Sequence, residues 1–101
     1  MNIQLVSAVQ VDLREAMAYY LETAGNEISL EYYEEFQHFA QLAARAPLSF
    51  RVFSEDPTEI RRVNFKRFPY HFLFRQVDST TIRILVVRHD HRHPSYGLDR
   101  W

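Results

Sequence analysis

No cysteine occurs among the 101 residues, which excludes a disulfide framework, a thiolate nucleophile and a thiolate metal site. Glycine appears twice and proline four times, too sparingly for a low-complexity or disordered chain. Gly25 and Gly97 stand alone, so no Gly-rich phosphate loop is present, and no serine sits in a G-x-S-x-G setting. No apolar run approaches the roughly 18 residues that cross a bilayer. The opening MNIQLVSAVQVDLRE lacks a basic stretch followed by an apolar one, so a cytoplasmic location without a membrane partner is expected. Excess charge is missing too: the formal net charge is -1, which argues against a nucleic-acid binder that works by wholesale phosphate neutralisation.

What is present is core-forming material. Hydrophobic residues make up 47% and aromatic residues 15% of the chain, enough for residues 1 to 101 to fold as one domain. The charges are unevenly spread. Residues 12 to 59 carry most of the acids, whereas Arg61, Arg62, Lys66, Arg67, Arg75, Arg83, Arg88, Arg92 and Arg100 fall in the remainder. A basic patch in the C-terminal half is therefore expected despite the neutral total.

Residues 2 to 6 alternate and suit an edge strand that could join either side of a sheet. Ser7 with Gln10 fits a capping box, which starts a helix near Ala8. Its apolar positions, Val9, Leu13, Ala16, Met17, Tyr20, Leu21 and Ala24, recur every three or four residues. Gly25 suits the left-handed backbone past a helix end. A second stripe follows through Ile28, Tyr32, Tyr33, Phe36, Phe39, Ala40 and Ala43, and Pro47 closes it. The aromatic stripe reads as the face packed on a sheet. After a loop with strand character near Phe50 to Phe53, three runs follow: Ile60 to Phe65, Tyr70 to Val77 and Thr81 to Arg88. Asp78-Ser79-Thr80 supplies turn chemistry between the last two. The expectation is an α+β domain of order β-α-α-β-β-β. In it an N-terminal helical hairpin packs on an antiparallel sheet of three to four strands. Both alternating sets of the last two strands are apolar, so the second sheet face should be covered as well, by something such as a partner chain.

Taken together, Asp12-Leu13-Arg14-Glu15-Ala16 with Tyr19-Tyr20, Pro47, Ile60-Arg61-Arg62-Val63, Arg67-Phe68-Pro69-Tyr70, Ile82-Arg83-Ile84-Leu85-Val86-Val87 and His89-Asp90-His91-Arg92-His93-Pro94 resemble the RelE/ParE superfamily of toxins. The similarity spans nearly the whole chain, and its force lies in the ordered set. It implies a small toxin, associated with plasmid stabilisation and growth inhibition, made beside a cognate antitoxin protein that neutralises it. Two modes of action are implied by the superfamily. RelE-like members are ribosome-dependent mRNA endoribonucleases, while ParE-like members poison DNA gyrase without a chemical step. Near-neutral charge and the RFPY corner favour the ParE-like reading. The nuclease, or a non-toxic interaction domain of the same fold, is the alternative.

The residues for each reading follow from the resemblance. Catalysis, if RelE-like, would fall to Arg61, Arg62, His89, Arg92 and Tyr96. Contact with the target would fall to Arg92, Tyr96, Arg100 and Trp101, because Tyr, Arg and Trp anchor interfaces. Antitoxin binding would use sheet positions Phe72, Phe74, Ile84 and Val86, a surface a homodimer would also hide. No cofactor is expected. His89, His91 and His93 would share a side in extended backbone, but no acidic fourth ligand is placed by the sequence, and no metal is expected.

Overall fold

The structure, a computed structural model, describes residues 1 to 100. Its elements are β1 (Asn2–Leu5), α1 (Ser7–Ala24), α2 (Asn26–Arg45), a 3₁₀ turn (Pro47–Ser49), β2 (Arg51–Ser54), β3 (Ile60–Asn64), β4 (Tyr70–Asp78) and β5 (Thr81–His89). One five-stranded sheet results, in the order β1-β5-β4-β3-β2. Neighbours from β2 to β5 are antiparallel, and β1 pairs in parallel with β5, Ile3 opposite Ile82.

The parallel edge follows from the connections. Each short link turns the chain back, so the first and last of seven elements run the same way. Gly25 makes the tightest link: at φ +99° it alone separates the two helices, its N–H bonded to the Tyr20 carbonyl and its carbonyl accepting from the Ser29 N–H. The expected capping box does not form. Val6 precedes α1 with no side-chain cap, and Ser7 is already helical; the Val6 N–H instead bonds the Ile84 carbonyl across the sheet, so strand pairing fixes the helix start. The sheet also has one strand more than expected, because Arg51 to Ser54 pairs with β3. Asp78 does close the last hairpin, its Oδ1 accepting from the Thr80 N–H at 2.8 Å.

The two sheet faces are covered differently. Under the helices lie Val63, Phe65, Phe72, Phe74, Ile82, Ile84 and Val87, packed with Val9, Leu13, Ala16, Tyr32, Phe36 and Ala40. Rings of Tyr20, Tyr32, Phe65, Phe68 and Tyr70 meet at centroid distances from 5.0 Å, which joins the RFPY corner to both helices. Tyr33 and Leu21 of the anticipated stripes remain exposed. On the opposite face, Ile60, Leu73, Leu85 and Val86 form a smaller apolar cluster with Phe53, Tyr96 and Leu98. A register shift opposite Leu73 and Phe74 makes Leu85 an extra residue in β5. That bulge turns Leu85 and Val86 together toward the second face while Val87 returns to the first. The cover over the second face is thus the chain's own C-terminal tail, and no partner chain is needed to explain the doubly apolar strands.

Candidate functional site

Beyond His89 the backbone turns away from the sheet, and three charged side chains fix where the tail goes. Arg88 is the first. It is the penultimate residue of β5, on the second face, and is buried, with Nη1 donating to the carbonyl oxygens of Pro94 at 2.7 Å and Tyr96 at 2.8 Å. Its Nε donates to His71 Nε2 at 2.9 Å, so that nitrogen must carry the lone pair and the His71 proton sits on Nδ1. Nδ1 in turn donates to Asp90 Oδ1 at 2.8 Å, and Arg62 stands 3.6 Å from the same oxygen. Burial, reinforced by the Arg62 and Arg88 charges, lowers the His71 pKa, and the Asp90 hydrogen bond only partly opposes this. The ring is held neutral. Burial likewise lowers the Arg88 pKa.

Asp12 is the second. It occupies the apolar stripe of α1, three residues after Val9, and is buried. Oδ2 accepts from Arg100 Nη1 at 2.6 Å and from the Val87 N–H at 3.1 Å. Arg100, the third, also donates to the Leu85 carbonyl at 3.2 Å. Burial works against the Arg100 charge, but the hydrogen bond and charge of Asp12, with Tyr96, outweigh it and raise the pKa. One carboxylate therefore joins helix, bulge and tail. Gly97 completes the seat: at φ +83°, it lies so close to Val86 that a Cβ there would meet the valine Cβ at 2.6 Å, and only glycine fits.

The outer surface of this tail is polar and cationic. Arg92 is exposed, its guanidinium 4.3 Å from the centroid of the Tyr96 ring, which Arg100 approaches at 5.3 Å. A cleft of about 200 Å³ opens beside it, lined by Asp12, Glu15, Tyr19, Tyr70, His89 and Arg92 among others. Burial and the neighbouring Tyr19 raise the Tyr70 pKa, while Arg92 pulls the other way.

The five residues considered for catalysis do not meet in one cleft. His89 and Arg92 share the cleft, and Tyr96 packs under Arg92. Arg62 lies on the second face, bonded to Asn64 at 2.8 Å. Arg61 points to the helical face, ion-paired with Glu59 at 2.7 Å and donating to the Phe50 carbonyl at 2.5 Å. It sits opposite Phe74, whereas His89 sits opposite Tyr70, a separation of about 13 Å along β4. The Tyr96 hydroxyl faces Asp12 Oδ1 at 3.4 Å. Of the target-contact set, Arg92, Tyr96 and Arg100 come together; Trp101 lies outside the described residues.

The positions anticipated for the antitoxin lie in the interior. Phe72, Phe74 and Ile84 are under the helices and Val86 is under Gly97, each 0% or 1% exposed, so none offers surface in this conformation. Among the described residues, the large apolar side chains left in solvent are elsewhere: Met1, Leu5, Val11, Tyr19, Leu21, Leu30 and Tyr33 around β1 and the hairpin, and Leu48 and Val52 near β2. A groove of about 310 Å³ between β1 and the helices is lined by Leu5, Leu13, Met17 and Tyr33 with Gln10 and Arg14. The histidines do not form a one-sided row, because the chain turns after His89 and the His91 N–H bonds back to His89 Nδ1. Among the described residues no three His, Asp or Glu side chains are arranged to hold a metal ion.

Sequence reasoning missed His71, Arg88, Asp90 and Asp12 as a working set. A signal existed for two of them: His71 between Tyr70 and Phe72, and Asp12 between Val11 and Leu13, each interrupt an otherwise apolar segment, and a polar residue in such a place needs a buried partner.

Neither family models nor curated proteins match this chain. Solved structures do. A chain of the structure described as "Chromosomal ParDE TA system from P. aeruginosa" superposes with a TM-score of 0.75 at 21% identity, over 88% of this chain and 95% of that one. The two share a fold, with the two helices on a mixed sheet and nearly all of this chain inside the match.

Proposed function

We propose that the protein is the toxin of a type II toxin–antitoxin pair, ParE-like in action, which arrests growth by engaging DNA gyrase and is neutralised by a cognate antitoxin. The observation that carries this reading is the fold shared with the ParDE structure over 88% of the chain, together with the ordered residues that resemble the same superfamily. Target contact is assigned to the cationic tail surface: Arg92 stacked on Tyr96, with Arg100 beneath. An exposed guanidinium braced by an aromatic ring needs little ordering to bind a protein surface.

Two features favour a binding role over RNA cleavage. Arg61 and Arg62 are committed to Glu59 and to Asn64 and Asp90, which leaves them poorly placed to stabilise phosphate charge beside His89. A net charge of -1 also suits a protein target better than dense ribosomal phosphate. The antitoxin is assigned to the groove of Leu5, Leu13, Met17 and Tyr33 and to the exposed hairpin side chains near it, which suit an amphipathic helix. Purified protein added to gyrase should inhibit supercoiling, with Arg92→Ala weakening inhibition by roughly tenfold or more, and should leave ribosome-bound messenger intact. Untouched supercoiling at high molar excess would reject the reading, and messenger cleavage would put the nuclease in its place. Normal growth after induction without antitoxin would favour a non-toxic interaction domain.

A further inference from the structure

We propose that Arg88 is the positioning residue for the target-contact tail and that His71 is the latch that sets it, so that protonating His71 releases the tail. The functional half of this rests on the tail being the target-contact surface; the latch itself does not.

The geometry is specific. Among the described residues, Arg88 reaches no carboxylate directly. Its Nη1 spans the carbonyls of His93, Pro94 and Tyr96, the residues that bring the chain from Arg92 to the Gly97 contact on Val86. Its Nε is aimed by one acceptor, His71 Nε2, and the Phe53 ring 5.4 Å away covers the guanidinium. Among the described residues, three charged groups face His71: Asp90 on Nδ1, Arg88 on Nε2, and Arg62 through Asp90. From β3 the cross-strand neighbour is Asn64, which does not titrate. The tail presents carbonyls. A proton added at Nε2 would set an N–H against the Arg88 N–H and a second positive charge against a buried guanidinium. Asp90 already has its hydrogen bond and gains only charge attraction. Arg88 must then turn away, and the carbonyls it clasped lose their donor.

On the other side of the tail, Arg100 and Asp12 form a second fastening that no histidine touches. Release is therefore expected from residue 93 to 97 first. In that state Arg92 loses the Tyr96 ring that braces it, and the apolar cluster of Leu73, Leu85 and Val86 comes open.

The test is amide hydrogen exchange of the full chain at about pH 7.5 and about pH 5, corrected for intrinsic rates, in wild type, His71→Gln and Arg88→Lys. A glutamine keeps an acceptor toward Arg88 without titrating, and a lysine keeps the charge without the fork. Wild-type amides from 93 to 97 should exchange roughly tenfold faster or more at the lower pH relative to those of β4 and β5. His71→Gln should show no such change, and Arg88→Lys should be fast at both values. A tail whose protection ignores pH in wild type, or changes equally in His71→Gln, overturns the latch. The same samples in the supercoiling assay separate the two claims. Arg88→Lys with a loosened tail but wild-type potency would overturn the functional half. A wild type that leaves gyrase alone would reject the function proposed above, while the exchange data still judge the latch.

Discussion

One side of the sheet is held by bulk and the other by a few aimed polar groups. Beneath the helices, aromatic and branched side chains from three strands meet two helix stripes, and fit rather than any single bond gives the stability. Across the sheet, a shorter apolar strip is covered by the tail, fastened by Arg88 to carbonyls, by Arg100 to Asp12 and by Gly97 to Val86. Packing is spread over many contacts and degrades gradually when one is lost. A clasp made of three fastenings can be opened by a single change, which suits the tail side to the contact and release proposed for it.

That contrast predicts an order of effects. Phe72→Ala, which empties a fully buried position under α2, should destabilise the fold by about 3 to 5 kcal/mol, read as a lower denaturation midpoint. Gly97→Ala should cost about 1 to 3 kcal/mol, because a β-carbon must intrude on Val86 at a positive φ. Its larger consequence should be selective: tail amides lose protection while those under the helices keep theirs. Equal loss on both faces would mean that the two sides of the sheet open as one unit.

A pH series sharpens the same comparison. The His71 pKa is lowered by burial, so between the ordinary histidine value of about 6.5 and its folded value the unfolded chain binds more protons than the folded one. The contribution of His71 is thus fully present above about pH 6.5 and is lost as the medium is made more acid, with a slope of at most about 1.4 kcal/mol per pH unit from this one group. His71→Gln should flatten that part of the curve, measured as midpoints across the range; an unchanged curve would remove His71 from the account. The smallest effect is a gain. The Tyr32 hydroxyl is buried with no hydrogen-bond partner among the described residues, and Tyr32→Phe should stabilise by about 1 kcal/mol. A loss of stability would show that the hydroxyl is satisfied in solution.

How far the sequence reached depends on the same division. The helical layer was legible because periodicity marks it: Val9, Leu13 and Ala16, then Tyr32, Phe36 and Ala40, are read at spacings of three and four and are buried. The three strands of the meander were equally plain from their alternation and the Asp78 turn. Two features were not. Alternation gives parity only while the ladder is regular, and the extra Leu85 reverses it, sending Val86 away from Ile84 to the opposite face. The clasp depends on groups distant in sequence, Asp12 with Arg100 and His71 with Arg88, and spacing carries no record of which charged residue meets which. Capping was misread at Ser7 because a local side-chain bond competed with a backbone bond to β5 and lost.

The proposed division of labour, a packed helical side that supports and a clasped tail that engages gyrase, is tested most directly by pulse-labelling DNA and protein synthesis in bacteria during the minutes after this chain is induced alone. DNA synthesis should fall first, and Arg92→Ala should delay the fall. Protein synthesis falling first would contradict that division of labour.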